Sequence, residues 1–224
     1  MQLPYLRRAP SAPTHRPPLL VLLHGVGGNE TGLERFAAMV DPRLLVLSVR
    51  APFTYAPGAY RWFDVRSPAQ GSDIDAGEAE HSRLAVIQFI NDAVMAFGAD
   101  PRRVYLFGFS QGATLAYGVG LTAPRRLRGI VGIGGRVLPE FAPLAAPIAA
   151  LSHLTLLIQH GLNDSLVPLA WGRATRDLFV SLGVMLGYRE YDASHEVTDA
   201  MLTEAAGFLN TQLNRFDERI PPAG

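Results

Sequence analysis

Gly108-Phe109-Ser110-Gln111-Gly112 is the segment of this 224-residue chain whose residue types point most directly to chemistry. A Gly-x-Ser-x-Gly run fits a strained turn from strand to helix that lifts a serine hydroxyl above the end of a sheet. The glycines stand where side chains would strike the neighbouring strand and helix. Ser110 is therefore a candidate nucleophile; the plainer reading is a helix N-cap serine beside packing glycines. A nucleophilic serine needs a base, and the base needs a carboxylate to orient it. On sheets that carry such a turn, the acid and then the histidine follow the serine in chain order. Past Ser110 lie His153, His160 and His195. Asp164 falls just beyond the apolar run 154–159, at the strand end where such sheets keep their ligands. With Asp164 as acid, His195 is the histidine that remains downstream. Asp177 falls in a helical stretch, Asp192 is too close to His195 in sequence to reach behind its ring, and Glu140 stands in an irregular stretch.

A serine of this kind forms a tetrahedral oxyanion, which needs backbone N–H donors already aimed at it. Gln111, directly after the nucleophile, supplies one. The second comes from the loop after the first buried strand, His24-Gly25-Val26-Gly27-Gly28, whose glycines let the backbone approach a substrate. A phosphate-binding loop is the rival reading. The segment lacks Gly-Lys-Ser/Thr, and Glu30 stands where a dinucleotide fingerprint needs glycine. His24 reads as structural, buried and hydrogen-bonded behind the hole.

These residues must be held by strands and helices, and the hydrophobic pattern supplies them. Residues 4–8 form a short candidate edge strand. Continuous apolar runs at Leu19–Leu23, 44–49, Val104–Phe109, Gly129–Ile133 and 154–159 read as buried strands, and 184–191 reads as a sixth strand. Helical patterns cover about 74–97, 111–121, 168–182 and 197–213, the first ended by Asp100-Pro101 and the third begun by proline. Short apolar runs separated by amphipathic helices predict an α/β fold, a mostly parallel sheet with helices on both faces. Two stretches, 51–73 and 136–153, fit the alternation badly and are candidate pocket walls.

Lysine plus arginine (20) equals aspartate plus glutamate (20) and hydrophobic residues make up 48%. The chain can fill one core, and no overall basic charge recommends a nucleic-acid partner. The absence of cysteine excludes disulfides, thiolate zinc sites and cysteine nucleophiles together. No segment is long and apolar enough for a signal core or a membrane span, so the expectation is a cytoplasmic protein without stable membrane insertion.

With these motifs in place, the chain resembles the phospholipase/carboxylesterase family of α/β-hydrolases, which includes bacterial carboxylesterases and acyl-protein thioesterases. Leu22 to Glu30 is similar to the family's oxyanion loop, Gly108 to Ala113 to its nucleophile elbow, and His160-Gly161-Leu162-Asn163-Asp164 through Val167-Pro168 to its acid loop. Trp62-Phe63-Asp64 matches a segment near the acyl pocket. The resemblance implies a single α/β-hydrolase domain over 19–215, between a lead-in at 1–18 and a tail at 216–224. It implies Val26 and Gln111 as the oxyanion donors, and ester or thioester hydrolysis with no metal or cofactor. The family places glycine before its histidine, whereas Ser194 stands here; the exchange fits if the backbone there avoids positive φ.

The expected activity is serine-dependent hydrolysis of short- to medium-chain esters of small molecules. A thioesterase or lysophospholipase of the same family, and a non-catalytic binding module, are the alternatives. Trp62 and Phe63 could line an acyl site or belong to the core. A coenzyme A thioester would ask for a basic approach surface, for which Arg61 and Arg66 are the candidates. A homodimer is compatible with the sequence, which does not specify assembly.

Overall fold

A computed structural model describes residues 2–12, 14–67 and 73–217. In chain order its first elements are β1 (Tyr5–Arg8), β2 (Leu19–Leu23), α1 (Glu34–Met39) and β3 (Leu45–Val49). Two small antiparallel pairs follow, β4 (Phe53–Ala56) with β5 (Ala59–Arg61), and β6 (Val65–Ser67) with β7 (Asp73–Ile74). The rest of the chain alternates: α2 (Ala76–Phe97), β8 (Val104–Phe109), α3 (Gln111–Thr122), β9 (Gly129–Ile133), α4 (Ile148–Leu151), β10 (Thr155–Gly161), α5 (Leu169–Ser181), β11 (Met185–Tyr191) and α6 (Asp199–Asp217).

The main sheet has the order β1-β3-β2-β8-β9-β10-β11, parallel throughout except for β1. The expected edge strand is thus real, pairing antiparallel to β3 with Tyr5 opposite Val49. Every residue of β2 is buried, as a central parallel strand requires, and each such side chain contributes about 1.5–3 kcal/mol by leaving water. Its alternation divides two cores. Leu19, Val21 and Leu23 pack with residues of α2 and α3 on one face, and Leu20 and Leu22 pack with residues of α1 and α6 on the other. Among the described residues no helix is long and apolar enough to cross a membrane.

Element ends shift where local chemistry overrides the periodicity. Asp75 caps α2 by accepting the Glu78 N–H at 3.0 Å, so that helix starts at Ala76. It stops at Gly98 in the left-handed conformation (φ 62°), ahead of the proline expected to end it. Asp100 is instead buried and bonded to Arg102 and Arg103. The six-residue α1 and the two small strand pairs had no periodic signature long enough to announce them.

From β2 the chain crosses to β3 on one side and later to β8 on the other. The carboxyl ends of β2 and β8 therefore flank a topological switch point, the place where open parallel sheets leave a crevice. The loops from β10 and β11 reach the same edge of the sheet.

Candidate active site

The strand β8 runs into α3 through Ser110, with no room for a side chain on either flanking glycine. A Cβ on Gly108 would lie 2.4 Å from the Gly112 carbonyl carbon, and one on Gly112 would lie 2.1 Å from the Leu23 oxygen. Ser110 turns the corner at φ 55°, ψ −117°, the one non-glycine residue with positive φ among those described. Such a conformation costs about 1–3 kcal/mol and persists when its surroundings over-determine it. Here the Ser110 N–H donates to Ile133 O at 2.9 Å, and its carbonyl accepts the Thr114 N–H at 3.0 Å.

Asp164 follows β10 with its side chain 1% exposed. Its Oδ1 accepts the N–H groups of Leu166 (3.0 Å) and Val167 (2.8 Å), which fix the carboxylate plane. Its Oδ2 lies 2.7 Å from His195 Nδ1, and His195 Nε2 lies 2.8 Å from Ser110 Oγ. A carboxylate can only accept, so Nδ1 carries the proton and Nε2 is left to receive the serine hydroxyl proton. The three residues are 31 and 85 positions from one another along these bonds and meet because β8, β10 and β11 end together. The two loops are sewn to each other: Leu162 N–H donates to Tyr191 O, and Asn163 N–H to Ala193 O. Asp192 accepts from the Asn163 side chain at 2.9 Å and is turned to that task. Ser194 is not at positive φ, so the residue that replaces the family's glycine is accommodated without strain.

Two supports were not read from sequence. The Phe109 ring lies against the His195 imidazole, centroids 5.0 Å apart. His160, wholly buried, donates from Nε2 to Val167 O at 2.8 Å and lies 3.5 Å from Asp164 Oδ2, bracing the acid loop from behind. The spacing of His160 and Asp164 was visible; the brace needs the turn geometry between them.

Val26 and Gln111 line the same cavity as Ser110. Gln111 is the first residue of α3, where an N–H has no partner within the helix and the helix dipole is positive. His24 is buried and hydrogen-bonded, as expected, at the start of the 24–28 loop. Ala51 N–H donates to its Nε2 at 3.1 Å, so Nδ1 holds the proton and donates to Gly25 O at 2.7 Å. Burial lowers the His24 pKa from its ordinary value, in keeping with that neutral ring.

The aromatic pair divides. Phe63 lines the cavity, but Trp62 is fully buried and does not, which corrects the assignment of Trp62 to substrate binding. Its indole N–H donates to His24 O at 2.8 Å, and its carbonyl accepts from Ser82 Oγ at 2.5 Å. The Gln111 side chain completes the arrangement, accepting the Trp62 N–H and donating to Phe63 O, both at 2.9 Å. An indole with a partner this deep in the core is a structural pin.

The cavity measures about 450 Å³. Its walls come from both irregular stretches, through Tyr55, Phe63 and Arg136 among others, and Val26, Tyr55 and Leu166 are exposed at it. The two candidates for a basic approach are matched by carboxylates: Arg61 bonds Glu78 and lies 3.8 Å from Asp64, and Arg66 bonds Asp75 at 2.8 Å. Among the described residues no three His, Asp or Glu side chains gather as a metal site would need.

A doubly covered parallel sheet, a strained serine at its switch point and a histidine bridging that serine to a buried carboxylate define a serine hydrolase of the α/β-hydrolase class. Residues 9–213 match the model of the phospholipase/carboxylesterase family, and the chain belongs to it. An acyl-protein thioesterase 1 of Gibberella zeae is 30% identical over 161 residues, 68% of each chain. A rice (Oryza sativa subsp. japonica) protein named a probable inactive carboxylesterase is also 30% identical, over 84% of this chain and 80% of its own. In structure, the carboxylesterase of Bacillus cereus superposes with a TM-score of 0.82 at 22% identity, covering 94% of this chain and 95% of its own, a likeness of fold.

Proposed function

We propose that the protein is a carboxylesterase that hydrolyses short- to medium-chain esters through an acyl-enzyme on Ser110. The observation that carries this reading is His195 held between Ser110 Oγ at 2.8 Å and Asp164 Oδ2 at 2.7 Å. His195 takes the hydroxyl proton as Ser110 attacks the ester carbonyl, and the Val26 and Gln111 N–H groups bind the oxyanion that forms. As the tetrahedral adduct collapses, His195 gives its proton to the departing alcohol. A water then repeats the sequence on the acyl-enzyme, releasing the acid and restoring Ser110. Asp164 keeps the ring in the required tautomer and balances the imidazolium. The cytoplasmic placement belongs to the same proposal and rests on the cysteine-free composition; cell fractionation tests it.

The test is hydrolysis of nitrophenyl esters from acetate to palmitate, with Ser110→Ala alongside. Serine-dependent turnover peaking at short to medium chains is expected. Equal rates in Ser110→Ala would refute the mechanism, and a long-chain peak would refute the substrate class. The thioesterase names among the relatives favour a second reading, cleavage of acyl thioesters. Comparing thioester and oxygen ester at matched acyl length separates the two. Folded wild-type protein inert on all of these would support a binding module.

A further inference from the structure

Two cavities adjoin at Trp171. The first, of about 450 Å³, is the one lined by Ser110 and His195. A second, of about 260 Å³, lies beside it, and among the described residues the two share Arg136 and Trp171 as lining. The rest of the second lining is apolar except for Thr175, whose Oγ1 already accepts the Val137 N–H at 2.9 Å. Its volume falls short of the range of about 300–1,000 Å³ in which ligands are held, so it suits part of a ligand rather than a whole one.

The sequence of α5 explains why the two are separate. Trp171, Ala174, Thr175 and Leu178 stand at i, i+3, i+4 and i+7, one stripe of that helix. The widest side chain stands at the end nearest the acid loop, and the narrow ones of Ala174 and Thr175 follow it. The indole therefore separates the first cavity from space that the smaller residues leave open. Its position is fixed from both sides. Trp171 N–H donates to Pro168 O at 2.8 Å, in the turn that follows the Leu166 and Val167 N–H bonds to Asp164. Across the gap the Arg136 guanidinium lies over the ring, 3.9 Å from its centroid, and Arg136 N–H donates to Thr114 Oγ1 at 3.3 Å. Among the described residues nothing accepts the Trp171 indole N–H, in contrast to Trp62, so replacing Trp171 strands no partner. An acyl chain that outgrows the first cavity meets this partition and leaves its further methylenes in water. Each methylene buried behind it would raise kcat/KM about fourfold.

We infer that Trp171 sets the acyl-chain length of this protein, closing the catalytic cavity against an apolar second cavity that becomes an extension of the acyl site once the indole is removed. The kinetic part of this inference rests on the serine-hydrolase reading; the binding part does not.

The experiment measures kcat/KM for nitrophenyl esters from butanoate to decanoate, kept below the concentrations at which they aggregate. The readout is the decanoate-to-butanoate ratio. It is expected to lie below one in the wild-type protein, to rise about tenfold or more in Trp171→Ala, and to be intermediate in Trp171→Phe. Each variant is its own reference, so a general loss of activity leaves the ratio alone. Ala174→Trp added to Trp171→Ala refills the second cavity from the next turn of α5 and should return the ratio to its wild-type value. A wild-type protein that already prefers decanoate overturns the inference, as does an equal ratio in Trp171→Ala and wild type. A raised ratio that survives Ala174→Trp also overturns it, because the longer chain then lies elsewhere. Binding of decanoate to Ser110→Ala, with and without Trp171→Ala, is measured by calorimetry. Binding tightened about tenfold or more by Trp171→Ala upholds the partition even if no ester is turned over, in which case the catalytic reading fails separately. Decanoate binding indifferent to Trp171→Ala overturns the inference whatever the esters do.

Discussion

As the proposed nucleophile, Ser110 combines two properties that role needs at an elbow, a backbone forced to φ 55° and a hydroxyl 2.8 Å from His195 Nε2. The members of such a triad act as a unit, so losing one forfeits most of the rate. Ser110→Ala or His195→Ala should lower kcat by about 10⁶, and Asp164→Asn by about 10⁴ because the imidazole is then free to adopt the wrong tautomer. Steady-state kinetics on any accepted ester checks the order. His24 carries a different expectation, one of stability. Its pKa is lowered by burial, so the unfolded chain binds a proton there in a pH range where the native ring does not. Stability tied to His24 is therefore full above about pH 6.5 and falls as pH drops from there toward the depressed native value. His24→Gln should flatten that part of a stability–pH curve measured by urea unfolding. Carboxylates such as Glu190, held at about 2 chiefly by Arg173, lose their support only at far lower pH, as pH falls through the native value.

At the scale of elements, the site is a meeting of loop ends kept in register by buried polar pins. The Gln111 side chain holds the Trp62–Phe63 backbone against the elbow, while its own N–H, at the first position of α3, has no acceptor within the helix. Gln111→Met keeps that N–H but leaves a buried donor and acceptor unpaired, at about 1–3 kcal/mol each. Loss of stability in urea, with KM raised more than kcat is lowered, is the expected pattern; unchanged stability would mean that the wall is held by other contacts. How much of this was legible varied with the kind of signal. The six parallel strands of the sheet and its longer flanking helices were visible because short apolar runs and helical periodicity are local. The Ser-Asp-His order could be read because the fold orders its loops along the chain. Trp62 was not resolvable as core or pocket from sequence, since an aromatic beside a loop suits either, and only the partner of its indole N–H decides. The small strand pairs within 51–73 were equally hidden, their pairing depending on strands too short to alternate visibly. The Ser194 question needed φ itself, which no spacing encodes.

For the whole molecule, the architecture separates what folds the chain from what reacts. The two cores lie on either face of the sheet, while the proposed site lies along one edge, at the carboxyl ends of β2, β8, β10 and β11. The last helix is tied back to the body by Asp217, which bonds Arg43 at 2.8 Å and Arg103 at 3.0 Å. These pairs are partly exposed, so Asp217→Asn should cost about 1 kcal/mol or less, a shift in Tm of about 2–4 °C, with kcat/KM unchanged. A large loss of activity with the same shift would show that the closing helix is coupled to the site. The central claim is that Ser110 is the residue acylated during turnover. It is tested most directly by reacting the protein with a fluorophosphonate and locating the adduct by mass spectrometry. The account predicts a single adduct on Ser110, absent in Ser110→Ala and strongly slowed in His195→Ala. An adduct on another residue, or none on folded wild-type protein, would contradict it.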